Sequence, residues 1–380
     1  MDKMNADCGL RIADLAVTKC ESRVEGASAE SQPGRSAIRN LRSAIGYLLA
    51  LAGLIWALRG LELPRLLGQA ARINWRLIAL AVLCDALSYL AQGKRWRLLL
   101  KPVGEISTLR ATEAIYAGLF TSEILPLRPG ELARAWLVSR WTGAGIIAVM
   151  PSIVVERLFD GVWLAVGIGL TAIFAPLPKE LLRTADALGL IVIVAAALFY
   201  FALRSSARGK EESSKLPGFI SSLIEKLAEG LRDIGRTRAF YWSLACSALL
   251  LFLQALAFWL VMLGYGLRLS FWIGMAVFTI VHLGTAIPNA PANAGSYQFF
   301  CVLGLTLFGV SKVDAAGFSL VVFTLLTLPL LALGFIALSH SGTTLPKIRR
   351  EIQAMAKDRC GDSVARRSAA SKPPHDLCAR

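Results

Sequence analysis

Tyr241–Leu267 reads YWSLACSALLLFLQALAFWLVMLGYGL, a stretch without a single Asp, Glu, Lys or Arg. About 20 predominantly apolar residues carry a helix across the hydrocarbon core of a bilayer, so this run is read as a membrane span. Gly317–Ser339 is equally free of charge. Around these two runs the whole chain keeps the same character: 55% of its 380 residues are hydrophobic and 18% are charged, against about 25% charged in an ordinary soluble domain. A water-soluble fold of this size could not hide so much apolar surface. The class that follows is an all-α polytopic membrane helix bundle, because lipid leaves no partner for the open edge of a sheet and no barrel-like alternation is present.

Working outward, apolar runs predict about eight transmembrane helices near 43–61, 76–93, 151–175, 185–203, 241–264, 271–288, 296–310 and 317–339, together with re-entrant or broken helices. Residues 1–42 read as a flexible cytoplasmic N-terminal tail, 43–340 as the transmembrane domain, and 341–380 as a basic cytoplasmic C-terminal tail. The first apolar stretch starts too late for a secretory signal peptide and is expected to be a retained span. The loop at 205–238 sets Leu216, Phe219, Ile220, Leu223, Ile224, Leu227, Leu231 and Ile234 at spacings of three and four, with charged residues between them, the pattern of an amphipathic helix along the cytoplasmic interface.

The net charge of +15 raises the question of nucleic acid, and its placement answers it. Lys and Arg gather at Lys94–Arg110, Arg204–Arg238 and Lys347–Arg380, between or after apolar runs. That is the positive-inside bias of cytoplasmic loops, not a nucleic-acid footprint. It places both termini in the cytoplasm and suits a multi-pass protein of a bacterial inner membrane. Lys94-Arg95-Trp96-Arg97 accordingly reads as an interfacial anchor. Seven cysteines stand singly and three histidines are scattered, so neither a disulfide framework nor a metal site is expected, and no cofactor motif appears. No Gly-x-x-x-x-Gly-Lys phosphate loop occurs.

Two places interrupt the apolar pattern. The first runs from Thr121 through Glu123, Pro126, Arg128, Pro129, Gly130 and Glu131 to Arg134. Two prolines three apart followed by glycine cannot continue a regular helix, and broken backbone at membrane depth persists only where it faces protein or a wet cavity. Residues 109–126 are read as re-entrant and 129–141 as an interfacial helix. The apolar run that follows, Thr142–Ala175, would be about 50 Å long as one helix, too long for a core of about 30 Å, and Pro151 is the expected break. Within it Glu156, Arg157 and Asp160 are the only charges. Intramembrane charges are costly and usually face a bundle interior or cavity. A self-neutralised network that locks helices together is the structural alternative. Asp85 and His282 read as packing-satisfied polar residues.

The second interruption holds Thr285, Pro288, Asn289, Pro291, Asn293, Gly295, Ser296 and Gln298. It repeats the plan of the first, a threonine and Pro-x-x-Pro with a nearby glycine, but offers neutral groups where the first offers charges. Paired interruptions in corresponding halves point to a transporter's central site.

With Pro126-Leu-Arg128-Pro-Gly130-Glu131 and Arg134, then Glu156-Arg157-x-x-Asp160, then the Pro288–Gln298 element, the sequence resembles the flippase-like family that includes the transmembrane region of lysylphosphatidylglycerol synthases. The resemblance covers roughly residues 40–340. It departs from the family where Glu123 replaces a common amide, and where Pro291-Ala-Asn-Ala-Gly295 ends in Gln298 instead of Glu. The resemblance implies movement of a lipid, or a lipid-linked group, between leaflets of a bacterial inner membrane, with anionic phospholipid or isoprenoid-type lipid as partner. It implies no aminoacyl transfer, which in the synthases belongs to a separate soluble domain. Arg128, Arg134 and Arg157 would attract an anionic headgroup, with Glu131, Glu156 and Asp160 holding the arginines. A transferase using one of these carboxylates as base, or a scaffold for lipid-synthesis partners, are the other readings.

Overall fold

The computed structural model describes residues 51–59, 68, 71–124, 129–175, 238–285 and 293–342. Among them the chain is helical and contains no strand. Residues 51–58 are helical and are followed, in chain order, by α1 Trp75–Leu99, α2 Thr108–Ile124, α3 Gly130–Thr142, α4 Ile146–Phe174, α5 Arg238–Tyr265, α6 Phe271–Gly284, α7 Ser296–Leu307 and α8 Lys312–His340. Helices α1, α5 and α8 are long and apolar enough to cross a bilayer. The expected span at 185–203, the amphipathic segment before α5 and both tails up to Ala50 and beyond Gly342 lie outside the described residues.

The order of lengths exposes an internal repeat. In the first half helices of 25, 17, 13 and 29 residues follow one another, and in the second half helices of 28, 14, 12 and 29. Packing repeats with them. The pairs α1–α2, α2–α3 and α3–α4 are matched by α5–α6, α6–α7 and α7–α8, and the cross-pair α2–α8 is matched by α6–α4. The most extensive packing joins the equivalent helices α1 and α5. These two run antiparallel: Asn74 at the start of α1 donates its N–H to Gly264 at the end of α5 at 2.9 Å, while the Arg95 carbonyl near the end of α1 accepts from Ser243 near the start of α5 at 3.4 Å. An axis that exchanges antiparallel equivalents lies perpendicular to them, so the halves have inverted topology.

Two of the expected spans are thereby redrawn. Helices α6 and α7 would be only about 21 and 18 Å long, shorter than a hydrocarbon core, and they form a packed pair like α2 and α3. Helix α3 is not an interfacial helix on the surface, since Ala133, Arg134, Ala135, Trp136, Leu137 and Val138 are all buried. The apolar run after it does break, but not at Pro151. Gly143, at φ 72°, ends α3 in the left-handed region that a side chain disfavours, and α4 starts at Ile146 and continues through Pro151. Pro151 is the sixth residue of the helix, so it removes one backbone hydrogen bond inside α4 without ending it.

Without water to drive helices together, membrane bundles rely on close van der Waals packing and small residues. The α1–α5–α8 seam follows that rule with Ala81, Ala255, Ala257, Ala315 and Ala316 buried, and Phe318 filling the space edge-on against Phe258 and Tyr265. Buried hydroxyls return to their own helices: Ser88 to the Asp85 carbonyl, Ser247 to Ser243 and Ser319 to Ala316. Leu83 and Leu87 on α1, Phe252 on α5 and Phe335 and Ile336 on α8 face outward, as a lipid-contacting surface requires.

Candidate functional site

Between the two halves lies a cavity of about 700 Å³ lined by residues of α1, α2, α3, α4, α5, α6, α7 and α8. One end is built from charges. Glu156 on α4, fully buried, takes Arg95 of α1 at 2.8 Å, Arg134 of α3 at 3.0 Å and Arg157 at 3.5 Å on one oxygen, and the same oxygen accepts from Gln92 at 3.0 Å. Arg95 also pairs with Asp160 and donates to Ser247 of α5 at 3.1 Å. Arg157 closes the outer rim against Glu131 at 2.9 Å and Asp160 at 3.3 Å. Three guanidinium groups thus face three carboxylates, and the cluster is formally neutral.

Helix geometry explains the convergence. Glu156 and Asp160 share a face of α4, with Arg157 on its edge. Arg134 reaches them because α3 is pulled tightly onto α2. A Cβ on Gly118 would stand 2.7 Å from the Gly130 carbonyl, and one on Gly130 would stand 2.0 Å from the Gly118 carbonyl. Its guanidinium also lies 4.8 Å from the Trp96 ring, whose Nε1 donates to Ser152 at 3.0 Å. The buried end of the network therefore fastens α1, α3, α4 and α5 together. Its rim is open, with Arg157 52% and Glu131 50% exposed.

The rest of the lining includes acids on α1 and α2 and a histidine on α6. Asp85 and Tyr89 line the cavity from one face of α1, Glu123 from α2, His282 and Thr285 from and just after α6, and Asn293 and Tyr297 from the segment that opens α7.

The structure brings Glu123, Gly130, Glu131, Arg134, Arg157, Asp160 and Asn293 to the cavity wall, with Glu156 directly behind. Gly295 and Gln298 do not line it. Gln298 is buried, and its Oε1 accepts the Gly295 N–H at 2.7 Å, so it caps α7. Pro126, Arg128, Pro288 and Pro291 lie outside the described residues. Sequence reasoning placed Arg95 and Trp96 outside the site and read Asp85 as a packing-satisfied residue, whereas Asp85 lines the cavity. Lys94-Arg95-Trp96-Arg97 is not an anchor beyond the helix but part of α1, and Arg95 and Trp96 are fully buried. The available signal was the helical spacing of Asp85, Tyr89, Gln92 and Arg95, which puts four polar side chains on one stripe of an apolar helix.

Fold and cavity together define a multi-pass α-helical membrane protein with a polar interior between two inverted halves. The chain belongs to the family described as the lysylphosphatidylglycerol synthase TM region, which matches it over residues 43–334. It is also similar to a UPF0104 membrane protein of Methanothermobacter thermautotrophicus, with 24% identity over 298 residues, covering 73% of this chain and 86% of that protein. No solved structure matches it.

Proposed function

We propose that the chain moves a lipid headgroup, or a lipid-linked group, between leaflets through the cavity, with the lipid tail outside in the bilayer. The observation that carries this reading is the contrast within the arginine cluster. Arg95 and Arg134 are sealed, whereas Arg157 is half exposed at the cavity wall and held by carboxylates that are themselves partly exposed. Such a pair is worth little in a wet site, so an anionic headgroup can replace Glu131 or Asp160 at small cost and take the guanidinium in bidentate geometry. The membrane is proposed to be a bacterial inner membrane with both termini cytoplasmic, which the basic stretches favour.

A transferase reading is weaker on physical grounds. Glu156 already accepts hydrogen bonds from Arg134 and Gln92 and is paired with Arg95 and Arg157, and a carboxylate so stabilised is a poor general base. A scaffold for lipid-synthesis proteins would use the 205–238 segment and the C-terminal tail, and its signature would be complex formation without lipid movement.

Arg157→Ala is expected to leave detergent elution unchanged and to slow the movement of a fluorescent phosphatidylglycerol in proteoliposomes by about 10- to 100-fold, the worth of one hydrogen-bonded charge contact. Arg157→Lys should recover only part of the rate, because the point charge cannot form the fork. Unchanged movement in both variants sinks the proposal.

A further inference from the structure

Asp85 is the anomaly of the cavity. It sits within a membrane span, lines the cavity, and its carboxylate makes no hydrogen bond or ion pair among the described residues. The carboxylates of the arginine cluster are all paired, so this is a different environment within the same cavity. Along α1, Asp85 is seven residues before Gln92, which is about 10 Å at helical rise, so it stands well apart from that cluster. Tyr89 one turn away on α1, Tyr116 of α2 and Tyr297 of α7 lie within its electrostatic reach, and Glu123 and His282 line the same cavity.

A second observation is independent of the first. Asn293, only 9% exposed, is held at φ 51° and lines the same cavity, and its Oδ1 is buried without a hydrogen-bond donor. A non-glycine residue in the left-handed region is uncommon, and an orphaned buried acceptor is costly. Both deficits are of one kind. An anionic oxygen and an amide oxygen on the wall of one cavity each lack a positive partner.

We propose that Asp85 and Asn293 form a binding site for a small monovalent cation, sodium or a proton, whose occupancy drives the lipid movement proposed above. Oxygen acceptors of mixed charge are what a hard cation takes from a protein. The chain carries no nucleotide-binding motif, so a coupled ion is the energy source its own residues can supply. The site rests on the transport reading for its purpose and not for its existence, which a binding measurement tests without any lipid.

The purified full-length protein is melted in sodium chloride and in choline chloride of equal ionic strength, each in mildly acidic and mildly alkaline buffer. If sodium is the ligand, the wild type gains saturable thermal stability in sodium, Asp85→Asn loses the response, and Asn293→Ala needs about tenfold more sodium, as for one lost charged contact. If the proton is the ligand, sodium has no effect. The wild type then melts higher in acid than in alkali, while Asp85→Asn, imitating the protonated acid, melts high in both. Differences between the variant and wild type cancel the titration of Glu123, His282 and the surface pair His340–Glu113. Should Asp85→Asn not express, Asn293→Ala carries the sodium comparison and Asp85→Ala, which cannot take up a proton, the acid–alkali comparison. Identical responses of wild type and variants to both sodium and pH overturn the site and leave the lipid-movement assay to be judged separately.

Discussion

Glu156→Gln is expected to cost the fold about 3–5 kcal/mol, the usual penalty for breaking a buried pair by removing one partner. Glu156 is fully buried with two equally buried arginines against it, Arg95 and Arg134. The neutral amide leaves the cluster with one excess positive charge and no water to solvate it. Heating the detergent-purified protein and measuring the monodisperse fraction by size exclusion should show an early loss for Glu156→Gln. The double variant Glu156→Gln with Arg134→Gln, which restores neutrality, should recover part of that loss, since charges in contact are coupled and not additive. A single variant as stable as wild type would show that the buried cluster does not hold α1, α3 and α4 together.

Gly130→Ala should be nearly as damaging, for a steric reason. The new methyl group would stand 2.0 Å from the Gly118 carbonyl and 2.2 Å from the Ser122 hydroxyl, and backbone cannot swing aside as a long side chain can. Helix α3 would have to lift from α2, breaking the 3.1 Å hydrogen bond from the Gly130 N–H to Ser122. Arg134, one turn along, would be carried away from Glu156. The expected loss is about 1–3 kcal/mol from overpacking alone, with more from the displaced ion pair. Gly143→Ala, whose Cβ would meet open space but whose φ is positive, should cost only about 1 kcal/mol. Equal expression and melting of the Gly130 and Gly143 variants would refute the close-approach argument. Gly130, read from sequence as part of a binding motif, lines the cavity and also lets α3 pack closely on α2.

Much of the architecture could be read directly. Charge-free runs such as Tyr241–Leu267 announce a bilayer because no aqueous fold conceals them, and the paired proline-rich interruptions mark the places where backbone must leave the regular helix. The repeat was visible only as a short likeness between two such interruptions. Its inverted sense needed the antiparallel contact of α1 with α5, a relation between residues about 190 apart that no local pattern encodes. The charged trio Glu156, Arg157 and Asp160 was found from its sequence isolation, yet isolation could not rank its members, and burial has made Glu156 the anchor and Arg157 the exposed contact.

The sequence by itself determined that this protein lives in a membrane, that it is helical, and which residues are too costly to bury in lipid without a partner. Only the tertiary structure decided who those partners are. Basic residues after an apolar run look alike whether the helix ends before them or carries them inward, because local hydropathy measures transfer to lipid and is blind to a carboxylate arriving from another helix. Arg95 lies inside for that reason: Glu156 and Asp160, more than sixty positions downstream, meet it there.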